Sequence, residues 1–186
     1  MKKQQLLTAL FEPYKSCNLC PLSALGRTQV VFGYGNADAK FMIIGEAPGA
    51  QEDTKGIPFV GRSGKFLTKT LESLGIKRDD IYISNVIKCR PPNNRPPALN
   101  EISTCKKILL EKEIEIVAPK IICTVGMSAL NALIPTKQPL GLLRGKLLYY
   151  KNILIFPTFH PAYILRNNKE LENFINDLKE AYQKSR

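Results

Sequence analysis

A chain of 186 residues is long enough to bury one substantial core and too short to bury two. Its hydrophobic fraction of 44% and its 13 prolines fit a globular, loop-rich protein and exclude a disordered or fibrous one. Lys plus Arg outnumber Asp plus Glu by 27 to 16, a net charge of +11. That excess either serves solubility or meets a polyanion, because each Lys or Arg beside a phosphate releases condensed counterions.

In chain order, the N-terminal stretch MKKQQLLTALFEPYKSC opens on two lysines, as a signal peptide does. Its apolar part runs only from Leu6 to Phe11, is broken by Thr8 and ended by Glu12, and no small-residue cleavage site follows. It reads as an amphipathic helix leading into a first cysteine pair. No apolar run approaches the ~20 residues of a membrane helix, so a cytoplasmic protein without membrane contact is expected.

Four apolar, β-branched runs read as strands: Phe41–Gly45, Ile81–Ile87, Lys120–Val125 and Ile153–Thr158. Gln29–Phe32 and Lys146–Tyr150 are weaker strands that extend the sheet or form a hairpin. Helical periodicity marks Ser63–Leu74, Leu99–Val117, Met127–Leu133 and Lys169–Tyr182. Alternating strands and helices, with strands apolar throughout, predict a three-layer α/β/α fold on a central four-stranded parallel sheet. No repeat or linker divides the chain, so residues 1–186 form one expected domain.

In such sheets the ligand crevice lies beyond the carboxyl ends of the strands. The segments following the four strong strands are Gly45–Gly49, Lys88–Arg95, Gly126–Ser128 and Phe159–Tyr163. Three of these are rich in polar, Gly and Pro residues, as a binding site requires.

Cys17 and Cys20 form a C-x2-C pair, and Cys89 and Cys105 lie far downstream. Four thiolates so arranged suit a tetrahedral zinc or a [4Fe–4S] cluster. Unrelated buried thiols are the plain alternative, but Cys17, Cys20 and Cys89 have polar or Pro neighbours; Cys105 and Cys123 are compatible with a core. Glycines in Gly45-Glu46-Ala47-Pro48-Gly49 allow a tight turn or a close backbone approach to a ligand. Ser63 suits a helix N-cap, whose free amides would accept a phosphate. Phe59, in a glycine-rich loop, is either a core plug or a stacking face for a base. Asn85, within an apolar strand, either pins a loop or presents a donor and an acceptor that match the N3–H and O4 edge of uracil. His160, the one histidine, closes a strand at the crevice and is either structural or catalytic.

Taken together and in this order, GEAPG with Glu52-Asp53, PFVGRSG, NVIKCRPPNNRPP, HPAYILR and the four cysteines resemble the uracil-DNA glycosylase superfamily, most nearly its iron–sulfur family 4 type. The similarity runs from about Cys17 to Arg166. It implies a [4Fe–4S] cluster on Cys17, Cys20, Cys89 and Cys105 in an N-terminal iron–sulfur-binding segment, with Cys123 left as core. It also implies hydrolysis of the deoxyuridine N-glycosidic bond, releasing uracil and leaving an abasic site in base excision repair. Phe59 would stack on the flipped base, Asn85 would read its pairing edge, and Glu46 and Ala47 would line the pocket. Glu52 would block the thymine 5-methyl, and His160 would donate a hydrogen bond to the charge developing on uracil O2. Arg62 and Ser63 would join Ile164, Leu165 and Arg166 at the DNA. Ala47 stands where the best-known branch carries its water-orienting aspartate, which leaves Glu46 or Asn94 to position the water. The expected partner is uracil-containing DNA, single- or double-stranded, bound by a monomer; no residue assigns a sliding-clamp contact. Ala47 and the basic charge also suit a non-catalytic iron–sulfur protein that binds nucleic acid. A zinc hydrolase fits less well, because one histidine and four committed thiolates leave no open metal position.

Overall fold

The computed structural model describes residues 2–186, so only the first residue of the sequence lies outside it. Six strands form one mixed sheet: β1 (Tyr34–Gly35), β2 (Phe41–Gly45), β3 (Tyr82–Asn85), β4 (Ile121–Val125), β5 (Leu148–Tyr150) and β6 (Ile153–Thr158), in the order β1-β3-β2-β4-β6-β5. The four inner strands, β3, β2, β4 and β6, are mutually parallel, and these are the four strong strands read from the sequence. Two short antiparallel edges enlarge the expected four-stranded sheet to six. Lys146–Tyr150 contributes β5, which forms a hairpin with β6 through Lys151 at φ 53°. Gln29–Phe32 is not a strand. Its Val31 N–H instead donates to the Lys88 carbonyl at 2.7 Å, and the edge strand follows two residues later.

The helices are α1 (Lys3–Phe11), α2 (Ala50–Lys55), α3 (Arg62–Ser73), α4 (Leu99–Cys105), α5 (Glu111–Val117), α6 (Met127–Leu133), α7 (Leu140–Leu143), α8 (Pro161–Ile164) and α9 (Leu171–Ser185). Between α4 and α5 the chain makes a π-helical turn, Lys106–Leu110, so the single helix read over Leu99–Val117 carries one widened turn. None of the described helices is long and apolar enough to cross a membrane.

Alternation along the inner strands explains the layering. Met42, Ile44, Tyr82, Ile122 and Ile155 point to one face, where Leu7 of α1, Leu109 and Leu110 of the π turn, Ile114 of α5 and Leu130 of α6 cover them. Phe41, Ile43, Ile83, Cys123 and Phe156 point to the other face, under Leu67 and Leu71 of α3 and Phe174 and Leu178 of α9. Cys123 is therefore core, and burial pushes its thiol well above the usual range. In α9 the buried positions Phe174, Asp177, Leu178, Ala181 and Ser185 recur at three- and four-residue intervals. Asp177 meets Arg144 and the Thr158 hydroxyl there, tying α9 to the end of β6.

All four inner strands end along one edge of the sheet, and the chain reverses its direction of growth between β2 and β4. That switch point is where a crevice opens in sheets of this kind.

Candidate active site

The expected crevice is present: a cleft of about 930 Å³ opens at the carboxyl edge of the sheet. Glu46, Ala47, Glu52, Phe59, Ser63, Asn85, Asn94, His160 and Arg166, all singled out from sequence, line it. A smaller recess of about 370 Å³ adjoins it, and Arg62 and Leu165 belong to that recess together with Ser63 and Arg166. Ile164, by contrast, is buried in the core.

Phe59, Asn85 and His160 come from segments far apart in sequence and meet in the cleft. The Phe59 and His160 rings lie 6.1 Å apart, tilted by 32°. Phe59 is 6% exposed, so it is at once core plug and cleft wall. Its left-handed backbone (φ 54°) is unusual for a bulky residue. Arg78 braces that turn by donating to the carbonyls of Pro58 and Phe59.

Close packing by glycine explains how these side chains reach one place. A Cβ on Gly45 would stand 2.5 Å from Phe59 Cζ and 2.6 Å from Asn85 Oδ1. A Cβ on Gly64 would stand 2.1 Å from the Phe59 carbonyl carbon. Gly126, at φ 96°, would bring its Cβ to 3.2 Å from His160 Cβ. The absence of side chains at these three positions leaves the space that the aromatic, the amide and the imidazole fill.

His160 caps α8: its Nδ1 accepts from the Ala162 N–H at 3.1 Å. An Nδ1 that accepts carries no proton, so the neutral ring holds its proton on Nε2. Burial, and then the nearby Arg166 charge, push its pKa down to about 4, with Glu52 opposing. At neutral pH the imidazole is a neutral donor. Asn85 is 3% exposed, and its side-chain amide has no hydrogen-bond partner among the described residues.

Two acids flank the cleft in different states. The Glu46 carboxylate has no ion pair or hydrogen bond among the described residues, whereas Glu52 Oε1 accepts from the Val60 and Gly61 amides at 3.0 and 2.8 Å. Glu52 thus fixes the turn that carries Phe59. Asp53 accepts twice from the Thr28 N–H and ties down the N-terminal segment. The expectation that Ser63 caps a helix is corrected: α3 begins at Arg62 with Gly61 as N-cap, because Glu52 already holds the Gly61 amide. Asn94, also left-handed at φ 54°, spends its Oδ1 on Arg90 Nε at 2.9 Å.

Sequence reasoning missed the outer lip. Leu99 is 86% exposed and lines the cleft beside Pro96 and Pro97. Arg95 and Glu101 form a two-point ion pair (2.9 and 2.6 Å), and Glu101 also accepts from the Ala98 N–H, so this lip is held firmly. A proline run just ahead of a leucine at a helix start was the available signal.

Cys17, Cys20 and Cys105 each lie near Cys89. All are free thiols, and all pack in or against one core cluster. Burial pushes the Cys89 thiol up, Arg27 draws it down, and Cys20 and Cys17 act on it as like charges. Burial pushes Cys105 up to about 12, with Cys89 among its neighbours. Arg27 Nη1 donates to Cys89 Sγ at 3.0 Å while its Nη2 donates to the Cys17 carbonyl. Among the described residues no three His, Cys, Asp or Glu side chains stand close enough to share one metal ion. That spacing disagrees with a four-coordinate zinc.

The sheet order and the cleft at its switch point define an α/β domain whose cleft is walled by an aromatic ring, an amide and an imidazole. The family model for the uracil DNA glycosylase superfamily matches residues 32–184, and the chain belongs to that superfamily. A type-4 uracil-DNA glycosylase of Thermotoga maritima is 42% identical over 190 aligned residues, covering 96% of this chain and 94% of that protein. One of the same type from Saccharolobus solfataricus is 41% identical, covering 94% and 86%. A type-5 uracil-DNA glycosylase of Pyrobaculum aerophilum is 30% identical over 69% of this chain and 64% of its own length.

Proposed function

We propose that the chain is a uracil-DNA glycosylase that hydrolyses the N-glycosidic bond of deoxyuridine in DNA, acting as a single 1–186 domain. The observation that carries this is the meeting of Phe59, Asn85 and a neutral His160 in one cleft at the sheet's switch point. A base inside a duplex is out of reach, so the nucleotide must first leave the stack, at a cost of a few kcal/mol. Leu99 on one lip and Leu165 on the other offer apolar surface to the disturbed stack. Arg62, Ser63 and Arg166 face the backbone phosphates.

In the cleft, Phe59 stacks on the extruded uracil and the Asn85 amide pairs with its N3–H and O4. Glu52, which lines the same wall, stands beside position 5. As the C1′–N1 bond breaks, N1 keeps the electron pair and charge develops at O2, where the His160 Nε2–H donates. A water forms the new bond to C1′ and gives its proton to a carboxylate. Glu46, whose carboxylate is free of other partners, suits that task better than Asn94, whose oxygen is occupied by Arg90.

The four cysteines fit a [4Fe–4S] cluster, supported by their convergence and by the Arg27 donor at Cys89. When bound, the cluster would join the N-terminal segment to the loop after β3 and to α4. A visible absorption band that disappears in Cys89→Ser is the expected signature; a colourless, zinc-loaded protein would overturn it.

The function is tested with oligonucleotides carrying one uracil. Free uracil and an intact abasic strand are expected, and no release from either single- or double-stranded substrate would end the proposal. In the same assay Glu46→Gln should lose about 10²-fold or more in rate, while Asn94→Ala should lose far less. The reverse order would move the water to Asn94.

A further inference from the structure

One buried ion pair plays no part in the chemistry above. Lys88 and Glu113 are both fully buried and bonded to each other. Isolated, such a pair is poorly repaid for its lost hydration, and apolar residues of similar volume would often serve stability as well. Its surroundings give it a different use. The three donors of the Lys88 ammonium go to Glu113 Oε2, to Ser84 Oγ at 2.5 Å and to the backbone carbonyl of Asn85 at 2.8 Å. Glu113 in turn accepts from Ser84 Oγ, from the Gly33 N–H and from the Tyr82 hydroxyl.

The register explains why Asn85 needs this donor. On its inner side β3 pairs with β2 as far as Asn85, and the Val86 N–H continues the ladder to the Gly45 carbonyl. On its outer side β1 reaches only Tyr82 and Ile83. On that outer side the Asn85 carbonyl therefore has no strand beside it, at the point where the side chain enters the cleft. The Lys88 ammonium substitutes for the missing strand, and Glu113, from α5, fixes the ammonium.

We infer that Lys88, held by Glu113, is a positioning residue that orients Asn85 toward the base through the Asn85 backbone carbonyl. This deepens the proposed function and rests on it. Lys88 is fully buried and does not line the cleft, so it acts only through Asn85.

The test uses neutral replacements of the whole pair, K88M/E113Q and K88M/E113L, because K88M alone would strand a buried carboxylate. The full-length proteins are compared by circular dichroism, by visible absorption and by uracil release, each in the parent and in an Asn85→Ala background. The expected result is a fold and absorption like the parent's, with uracil release reduced about 10- to 10²-fold, as a small misplacement of a reading group requires. In the Asn85→Ala background the same replacement should change release by less than about two-fold, since there is no amide left to misplace. Equal losses in both backgrounds, release unchanged in the parent background, or loss of the fold in both pairs would each overturn the inference. A parent protein that releases no uracil would instead overturn the proposed function, which keeps the two failures apart.

Discussion

His160→Ala is expected to lower the single-turnover rate of uracil release by about 10²–10³, with the folded structure retained. A donor already aimed at a developing oxyanion in a water-poor site contributes about 3–4 kcal/mol to the barrier. His160 satisfies the requirements: its ring lies beside Phe59, its Nδ1 is occupied by the Ala162 N–H, and its proton sits on Nε2. Because burial and Arg166 push its pKa down to about 4, the rate should be insensitive to this group from neutral pH down to about pH 5 and should fall below about pH 4. The stability change has a defined sign. The unfolded chain binds this proton near 6.5 and the folded chain only near 4, so the contribution is complete above 6.5 and is lost as the pH falls from 6.5 through 4. Rate measurements in stopped reactions and denaturant unfolding, both carried from pH 8 to about pH 3, check the two statements. A loss smaller than about 10-fold, or a rate that falls with a midpoint near 6.5, would remove His160 from its assigned role.

Gly45→Ala should be nearly as damaging, although the residue has no side chain to contribute. Its added methyl would lie within 2.6 Å of Phe59 Cζ and Asn85 Oδ1 together, so neither the Phe59 ring nor the Asn85 amide could keep its place. The expected outcome is a fall of about 10²-fold in uracil release and a destabilisation of about 1–3 kcal/mol, the usual penalty for overpacking a tight interior. Free uracil should also inhibit this variant far less than the parent. If Gly45→Ala binds free uracil like the parent, the two groups are not held by this contact.

The inner strands were legible because β-branched runs bounded by Gly, Pro and polar turns leave few alternatives. Phe41–Gly45 and Ile153–Thr158 occur with the bounds read from the sequence. Gln29–Phe32 misled because Val30 and Val31 are indeed buried, but their partner is a loop carbonyl at Lys88, which local pattern does not reveal. A two-residue edge strand such as Tyr34–Gly35 carries no periodicity at all. The cleft residues were legible from motifs in order. Their mutual geometry was not, since Phe59 and His160 are remote in sequence and meet only through glycines that read, in isolation, as turns. The Lys88–Glu113 pair was invisible for a related reason: each residue alone resembles ordinary surface charge, and only folding brings α5 under the end of β3.

The π-helical turn at Lys106–Leu110 decides where that acid points. A wider turn inserts one extra residue into the winding, so every position after it is rotated by about 100° relative to a regular α-helix. Cys105 lies just before the turn and Glu113 just after it, both facing inward. If the same residues were wound as a uniform α-helix, Glu113 would turn by about 100° relative to Cys105, and one of the two would leave the interior. The irregular turn therefore sets the phase between the thiol and the carboxylate, letting one continuous helix turn Cys105 and Glu113 inward together.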